Sequence, residues 1–338
     1  MSLSAFPRVA LAHTPTPFEP LPNLTQRLDG PRLFIKRDDC TGLAMGGNKA
    51  RQLEFYFGEA LAQGADTVLI TGAVQSNFLR MTAAAAAKLG LACEIQLEDR
   101  VRGMGAAYHG SGNVLLDGLL GPRIHTYPEG DDEYGADAAL ESIADRMRGE
   151  GGKPYVIHLG TDHPPIGALG YLDAAREILE QAKQAEVRID VVVLPSGSAL
   201  THAGVLVGLR LLGSEIPVLG ICVRRERGRQ AERVLKRATQ TAELIGNAGL
   251  ISPGDVWVDD QVLAPGYGLT NEATNEAILL AARTEGLLVD PVYSGKTLAG
   301  LIALIRAGAI PGDWNVVFLH TGGTPALFGY QHELPPEA

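Results

Sequence analysis

The chain has 338 residues, of which 46% are hydrophobic and 20% charged, a composition typical of a globular enzyme about two domains long. Its 39 acidic residues outnumber its 29 lysines and arginines, and the net charge of -10 disfavours a nucleic-acid partner. The three cysteines lie far apart in the sequence, and no apolar run is long enough for a membrane helix or a signal peptide. We therefore expect a soluble, cytoplasmic protein without disulfides.

Short runs of β-branched residues alternate with helical patterns along the chain, which predicts an α/β fold built from parallel βα units. The segments 129–134 and 149–154 are acidic or rich in glycine and are predicted to be exposed connections. Ligands of open α/β sheets bind at the carboxyl ends of the strands, so the polar turns there are candidate sites. In chain order, the predicted strands cover residues 33–36, 67–71, 92–97, 155–159, 191–194, 217–223, 256–258 and 316–320.

The first polar turn has the sequence GGNK at 46–49 and precedes a helical pattern. A lysine amine of lowered pKa can attack a carbonyl group, and adjacent glycines allow a planar ligand to approach closely. Lys49 is therefore a candidate nucleophile, although a solvated lysine in an ordinary turn has the same local pattern.

Two further turns begin predicted helices. The sequence QSN at 75–77 is typical of a helix N-cap, but exposed amides at such a position also bind a carboxylate. The segment 196–201 follows an apolar strand and can hold a phosphate through amides and hydroxyl groups, or again be a simple cap. A lysine, a carboxylate site and a phosphate site together favour pyridoxal phosphate.

Other site chemistries have weaker support. Residues 290–297 end in SGKT and imitate a nucleotide-binding P-loop, but Asp290 stands where that motif needs glycine. A nucleotide-binding protein is therefore a remote alternative. The eight histidines lack the spacing of a zinc site, and the sequence predicts no bound metal.

The ordered motifs over residues 14–330 resemble the D-cysteine desulfhydrase and 1-aminocyclopropane-1-carboxylate deaminase family of fold type II pyridoxal phosphate enzymes. The resemblance implies a fold like the tryptophan synthase β-subunit, with two open twisted α/β sheet domains and the cofactor in the cleft between them. Residues 1–51 and 159–338 would form the large cofactor-binding domain, and residues 52–158 a small inserted one. Beyond the turns above, the matches are IKRDD at 35–39, GNVLLD at 112–117, GALGY at 167–171, APGYG at 264–268, DPVY at 290–293 and HTGG at 320–323.

The resemblance also implies roles for individual residues toward pyridoxal 5'-phosphate. Lys49 would form the imine with the cofactor, Asn77 would bond its ring hydroxyl, and Ser76 with nearby amides would hold the substrate carboxylate. Tyr267 and Tyr293 would face the substrate, as would Asn77 and Phe78. The remaining cofactor contacts would come from Ser196, Gly197, Ser198, Ala199, Leu200, Thr201, Ser294 and Thr321.

Position 294 helps to choose an activity within the family. Ring-opening deaminases have a glutamate near the pyridine nitrogen, whereas Ser294 is similar to the hydroxyl residue of the desulfhydrases. A carboxylate would keep that nitrogen protonated and a hydroxyl would not, which favours β-elimination over ring opening. The chain differs from the usual desulfhydrase pattern at Phe78, at Leu200 and across residues 161–165, and these differences bear on substrate identity.

The sequence thus predicts a pyridoxal phosphate dependent lyase that removes the β-substituent from a small amino acid. D-cysteine desulfhydrase is favoured, and L-cysteate sulfo-lyase is the close alternative because such enzymes are similar around residues 98–100 and 112–117. The freed Lys49 would remove the α-proton, and Tyr267 or Tyr293 would protonate the leaving group. A deaminase and a noncatalytic protein that binds pyridoxal phosphate stay open as alternatives. The resemblance also implies a homodimer.

Overall fold

The computed structural model describes residues 3–334, in which helices cover two β-sheets. The strands are β1 (Phe18–Pro20), β2 (Arg32–Arg37), β3 (Thr67–Ala73), β4 (Ala92–Glu98), β5 (Arg123–Tyr127), β6 (Pro154–Ile157), β7 (Val191–Ser196), β8 (Val218–Cys222), β9 (Trp257–Asp259) and β10 (Asn315–His320). The helices are α1 (Pro22–Leu28), α2 (Lys49–Ala62), α3 (Asn77–Leu89), α4 (Ala106–Gly110), α5 (Asn113–Leu120), α6 (Glu133–Gly149), α7 (Leu169–Gln184), α8 (Leu200–Leu211), α9 (Arg227–Leu244), α10 (Glu272–Glu285), α11 (Ser294–Arg306) and α12 (Ala326–Gly329).

All eight predicted strands are present, with ends that differ from the prediction by at most about two residues, as is usual for strand boundaries. The α/β class is confirmed. Strands β1 and β5 were not predicted from the sequence. Strand β1 has only three residues, and β5 is a largely exposed edge strand whose polar side chains give little apolar signal.

The six-stranded sheet has the order β1-β2-β10-β7-β8-β9, and all its neighbours are parallel except β1 and β2. The four-stranded sheet has the order β5-β4-β3-β6 and is entirely parallel. Parallel neighbours place the carboxyl ends of their strands at one edge, where ligands of α/β proteins bind.

The central strand β7 explains the core of the larger sheet. All six of its residues are buried, because a parallel sheet covered by helices on both faces removes every side chain from water. Val192 and Leu194 pack into one apolar cluster with α7, α8 and α9. Val191 and Val193 pack into the opposite cluster with α1, α10 and α11. Burying each such side chain stabilises the fold by about 1.5–3 kcal/mol.

Strand β3 has the same role in the smaller sheet, with all seven residues buried. Val68 and Ile70 face α2 and α3, whereas Leu69 packs with Leu140 of α6 on the other face.

The predicted domain boundary between residues 51 and 52 falls inside α2, which is continuous and contacts both α3 and α7. No helix among residues 3–334 is long and apolar enough to span a membrane.

A network of buried ions joins the start of α2 to α7. The guanidinium of Arg51 is fully buried and lies 2.9 Å from Asp38 and 2.7 Å from Glu177. The Lys36 amine donates to the same Glu177 carboxylate at 2.8 Å, and the Tyr171 hydroxyl donates to Asp38 at 2.7 Å. Burial alone would raise the pKa of Glu177, but the contacts with Arg51 and Lys36 lower it to about 2. This network holds the helix that begins at Lys49.

Candidate active site

A cavity opens where the carboxyl ends of strands from both sheets come together. It is lined by Ala73 at the end of β3, by Gly197 after β7 and by Thr321 after β10. Arg100 and Arg224 reach it from the segments after β4 and β8. The cavity thus lies at the edge that the polar turns of the sequence predict.

Lys49 is the first residue of α2, and its side chain lines this cavity. The amine lies 3.2 Å from Gln52 Oε1 and 4.5 Å from the centre of the Phe78 ring. No carboxylate of residues 3–334 forms an ion pair with it, and burial lowers the pKa of Lys49 to about 8. A much larger fraction of the amine is therefore neutral and nucleophilic near neutral pH than in free lysine.

The turn at residues 46–49, which we call the lysine turn, contains two glycines that let its backbone approach neighbouring backbone closely. Gly46 has φ of 69°, and a Cβ atom placed on it would lie 1.9 Å from the carbonyl oxygen of Asp39. Gly47 has φ of 129°, and its Cβ would lie 3.2 Å from the carbonyl oxygen of Thr321. These conformations are costly for residues with a Cβ, so the turn requires glycine at both positions. The Asn48 amide then donates to Thr321 at 3.0 Å.

Ser76 and Asn77 form the first turn of α3 and line the cavity opposite the lysine turn. Ser76 is the N-cap, and its hydroxyl oxygen accepts from the amides of Phe78 and Leu79 at 3.2 and 3.3 Å. A hydroxyl that accepts through its lone pairs still has its own proton to donate. The capping role and a role toward a ligand are therefore compatible. Phe78, where this chain differs from the usual desulfhydrase sequence, lies beside Lys49.

The predicted phosphate turn lies at the start of α8. Gly197, Ser198, Ala199 and Thr201 line the cavity, and Ala199 adopts a left-handed conformation with φ of 73°. The first amides of a helix have no partner within that helix and bind anions well. Leu200 is buried behind the turn, so its side chain does not reach the cavity.

The hydroxyl of Thr201 is oriented by the lysine turn. Its oxygen accepts from Asn48 Nδ2 at 2.9 Å and from Gln52 Nε2 at 3.0 Å. The proton of this hydroxyl remains available to an anion in the cavity.

Ser196 lies below the turn and does not line the cavity. It is fully buried, and its hydroxyl oxygen accepts from Gln230 Nε2 at 2.9 Å. The same hydroxyl lies 3.1 Å from Nδ1 of His202, whose Nε2 lies 3.1 Å from the carbonyl oxygen of Val218. Because burial lowers the pKa of His202 to about 4, the imidazole is neutral near pH 7. Nε2 must donate to the Val218 carbonyl, so Nδ1 accepts from the Ser196 hydroxyl.

We expect His202 to make the folded state sensitive to mild acid. Burial lowers the pKa of His202 to about 4, whereas the pKa in the unfolded chain is about 6.5. The unfolded chain therefore takes up the proton first, and stability that is complete above pH 6.5 is lost as the pH falls toward 4. The loss from this one group between about pH 7.5 and pH 5 is about 2 kcal/mol.

Urea denaturation at both pH values measures this effect. His202→Gln, which cannot be protonated, is expected to show a shallower loss of stability than the unchanged chain. His109→Gln removes an exposed histidine and serves as the matched control. Equal slopes for the unchanged chain and His202→Gln would contradict the prediction.

Tyr267 and Tyr293 form a hydroxyl pair at the cavity wall. Their oxygens are 2.6 Å apart, and the rings meet edge to face with centroids separated by 6.1 Å. Burial raises the pKa of Tyr293 well above its ordinary value, so this side chain stays protonated. The loop that carries Tyr267 is held by Lys296, whose amine donates to the carbonyls of Leu263, Gly266 and Leu269.

Ser294 is buried and does not line the cavity. Its hydroxyl donates to the Asp290 carboxylate at 2.6 Å and lies 3.2 Å from the carbonyl oxygen of Gly322, which does line the cavity. The carboxylate also accepts from the amides of Val292, Tyr293 and Ser294 at 2.8 to 2.9 Å. Asp290 thus occupies the amides that a P-loop would offer to a phosphate, which argues against nucleotide binding there.

Four arginines that were not predicted as site residues lie at the cavity, and all but Arg225 line it. Arg224 and Arg233 line the cavity and pair with the Glu133 carboxylate at 2.7 and 3.0 Å. Arg225 pairs with the same carboxylate at 2.6 Å. Burial alone would raise the pKa of Glu133, but the arginines lower it to about 2. We call Arg100, Arg224, Arg225 and Arg233 the arginine rim.

The prediction of an exposed connection over residues 129–134 is confirmed in part. Asp131 and Tyr134 are exposed, but residues 133–134 already belong to α6, and the ion pairs of Glu133 with the arginines leave it only partly exposed. Its partners follow it by 91 to 100 positions in the chain, so no local pattern could have revealed them. A weak signal existed for the arginines, since Arg100 and Arg224 follow predicted strands at the ligand-binding edge.

The comparisons with known proteins agree with this geometry. Residues 9–322 match the family described as pyridoxal-phosphate dependent enzyme. The chain is 44% identical over 328 residues to the D-cysteine desulfhydrases of Salmonella typhi and of Salmonella newport (strain SL254), with 97% of each chain covered.

Two solved structures extend the comparison. A crystal structure of an ACC deaminase homologue matches with a TM-score of 0.87 and 36% identity, over 98% of this chain and 96% of that one. The crystal structure of O-ureido-L-serine synthase matches with a TM-score of 0.65 and 17% identity, over 94% and 92% of the two chains, which shows a shared fold. The fold type II expectation is confirmed. The match over residues 9–322 and the similarity to whole relatives show that the chain belongs to the family of pyridoxal-phosphate dependent enzymes.

Proposed function

We propose that this protein is a D-cysteine desulfhydrase, a lyase that converts D-cysteine and water to pyruvate, hydrogen sulfide and ammonia. The observation that carries the proposal is the 44% identity to D-cysteine desulfhydrases over nearly the whole chain. The chemistry of the cavity supports it, because the lysine, a helix start and a hydroxyl pair surround one space.

The donors around the cavity fit pyridoxal 5'-phosphate. The amides of 197–201 and the Thr201 hydroxyl offer a cradle for a phosphate, and the α8 helix start favours its negative charge. Lys49 supplies the amine that would bind the cofactor covalently. Asn77 offers Nδ2 as a donor, because this atom has no hydrogen-bond partner among residues 3–334. Bound pyridoxal phosphate supplies an aldehyde that forms a reversible imine and a conjugated ring that accepts the electron pair left by proton removal.

The roles proposed for the protein side chains follow from their positions. Lys49 holds the cofactor and, once the substrate amine has replaced it, removes the α-proton as a general base. Its lowered pKa suits it to this task near neutral pH. Ser76 and the amides at the start of α3 hold the substrate carboxylate, and Phe78 excludes water beside the lysine. Thr321 lines the cavity beside the turn that carries Lys49, and the contact of Ser294 with the cofactor stays a prediction.

The tyrosine pair is proposed to protonate the sulfur as the carbon–sulfur bond breaks. Tyr293→Phe removes one hydroxyl of a pair separated by 2.6 Å and leaves the ring in place. We expect kcat for sulfide release to fall by roughly 10²-fold, the lower range for a general acid, with KM within a few-fold. Tyr267→Phe is the matched variant. Retention of near-normal kcat by both single variants would exclude this pair as the acid.

L-cysteate sulfo-lyase is a second candidate, which a specific feature of the cavity favours. Arg100, Arg224 and Arg233 all line the cavity, and guanidinium groups bind planar or tetrahedral oxyanions well. The sulfonate of cysteate would meet these groups, whereas the thiol of cysteine has no need of them. Only Glu98 and Glu133 form ion pairs with these three arginines at 3.5 Å or less within residues 3–334.

The test is a direct comparison of products from the purified holoenzyme. Sulfide release from D-cysteine, with little from L-cysteine, supports the first proposal. Sulfite release from L-cysteate supports the second. Formation of pyruvate from none of these amino acids, despite a visible cofactor band, would refute both proposals and leave the deaminase and the noncatalytic binding protein as alternatives. Ammonia release from 1-aminocyclopropane-1-carboxylate would identify the deaminase alternative.

The domain division and the assembly state belong to the same proposal. We propose a small domain over residues 52–158, supported by the placement of β3, β4, β5 and β6 in one sheet, and a large domain formed by the rest. A homodimer and a cytoplasmic location are likewise expectations, drawn from the resemblance and the cysteine spacing. Light scattering coupled to size-exclusion chromatography tests the dimer, since a mass near 35.8 kDa would contradict it.

A further inference from the structure

A buried arginine connects the two turns proposed to hold the cofactor. Arg80 lies on α3, is fully buried and does not line the cavity. One terminal nitrogen donates to Asn77 Oδ1 at 2.9 Å and to Asn113 Oδ1 at 2.7 Å. The other donates at 2.9 Å to the carbonyl of Gly46 in the lysine turn. One planar guanidinium thus fixes the distance between the turn before Lys49 and the first turn of α3.

These contacts determine which way the Asn77 amide points. Its oxygen accepts from Arg80 and also from Asn113 Nδ2 at 3.1 Å. With both acceptor positions of the oxygen filled, the amide nitrogen must face the other way, and Asn77 lines the cavity. Asn113 is held in turn, because its backbone amide donates to Gln75 Oε1 at 2.9 Å and its side chain to the Gln75 carbonyl.

The charge of Arg80 has no ion-pair partner within residues 3–334. Asp117 on α5 is 1% exposed and contributes an electrostatic interaction, but neither of its carboxylate oxygens has a hydrogen-bond partner in the described part of the chain. Nε of Arg80 also lacks a partner, so the two groups do not touch. Burial lowers the pKa of Arg80 to about 10, which still leaves the guanidinium charged at neutral pH. A buried charge without a contacting counter-ion acts strongly on its surroundings.

We propose that Arg80 is a positioning residue that aims Asn77 at the ring hydroxyl of the cofactor and electrostatically favours ionisation of that oxygen. The polarised Asn77 amide is then the donor, and Arg80 acts through it without touching the cofactor. The inference rests on the proposed contact of Asn77 with the cofactor and is independent of the substrate.

The test is a pH titration of the visible absorption band of the holoenzyme without substrate. Arg80→Met removes the positive charge that favours ionisation of the ring oxygen, so the midpoint of the band is expected to rise by roughly one pH unit. Cofactor affinity is expected to weaken about tenfold, because the Asn77 amide is no longer held. Arg80→Lys keeps the charge and is expected to restore most of the midpoint, although not the affinity.

Two controls separate this role from a general structural one. Arg210→Met removes a partly buried arginine that, like Arg80, donates to backbone carbonyls but contacts no residue that lines the cavity. The midpoint of the absorption band is expected to stay unchanged in this variant. Asn77→Ala is expected to weaken cofactor binding, and an unchanged affinity in that variant would refute the underlying contact itself. If Arg80→Met does not fold, Arg80→Gln provides the neutral side chain. A wild-type midpoint in the folded neutral variant, with Asn77→Ala impaired, would overturn the role of Arg80 alone.

Discussion

Lys49→Ala is expected to abolish turnover, with kcat falling by roughly 10⁴-fold, the upper range for removal of a general base. The variant loses the amine that binds the cofactor covalently as well as the base that removes the α-proton. We expect it to fold, because the Lys49 amine makes a single hydrogen bond within residues 3–334, to Gln52 at 3.2 Å. Steady-state release of pyruvate and the absorption spectrum of the cofactor measure the two losses.

Lys296 supplies an internal comparison for this prediction. Burial lowers the pKa of Lys296 to about 8, the same value as for Lys49, but its amine donates to three carbonyls and does not line the cavity. A low pKa alone therefore does not distinguish the two amines, whereas access to the cavity does. Borohydride reduction of the holoenzyme followed by mass spectrometry is expected to find the cofactor on Lys49. An adduct on Lys296 would refute the site.

Arg51→Met is expected to destabilise the folded state by about 3–5 kcal/mol, since it leaves buried carboxylates without their main counter-ion. Among the residues that the structure describes, Asp38 and Glu177 would retain only Lys36 and Tyr171 as charged or phenolic partners. Because Arg51 is two residues from Lys49, we also expect weaker cofactor binding. The midpoint of urea denaturation measures the first effect.

Arg306→Met is the matched control for that substitution. Arg306 pairs with Glu276 at 2.6 Å, but both side chains are about half exposed. Such surface pairs contribute at most about 1 kcal/mol, because water already solvates both charges. Equal losses of stability in the two variants would contradict the larger contribution that we expect from the buried network to the free energy of unfolding.

The sequence was most informative where physical constraints are local. The run at 191–194 predicts a strand buried on both faces, and the glycines at 46 and 47 predict a turn that a planar ligand can approach. Both features depend on residues adjacent in the chain. The turns at 75–77 and 196–201 were located for the same reason, because helix starts have a recognisable composition.

Features that depend on distant residues were not accessible in this way. The partial burial of Glu133 depends on arginines about 90 positions further along the chain. The contact of the Ser294 hydroxyl with Asp290 spans only four residues, but it was not predicted because the resemblance assigned that hydroxyl to the cofactor. Arg80 gave no signal, since a single arginine within a helical pattern is usually a surface residue.

The glycine turn before Lys49 limits how this enzyme can be diversified in the laboratory. Random replacement of Gly46 would drive a methyl group into the Asp39 carbonyl, and any side chain at Gly47 would press on the Thr321 carbonyl. A combinatorial library aimed at new substrates should therefore leave these two codons untouched. Its variable positions belong at Phe78 and Arg224, whose side chains reach the cavity from other elements.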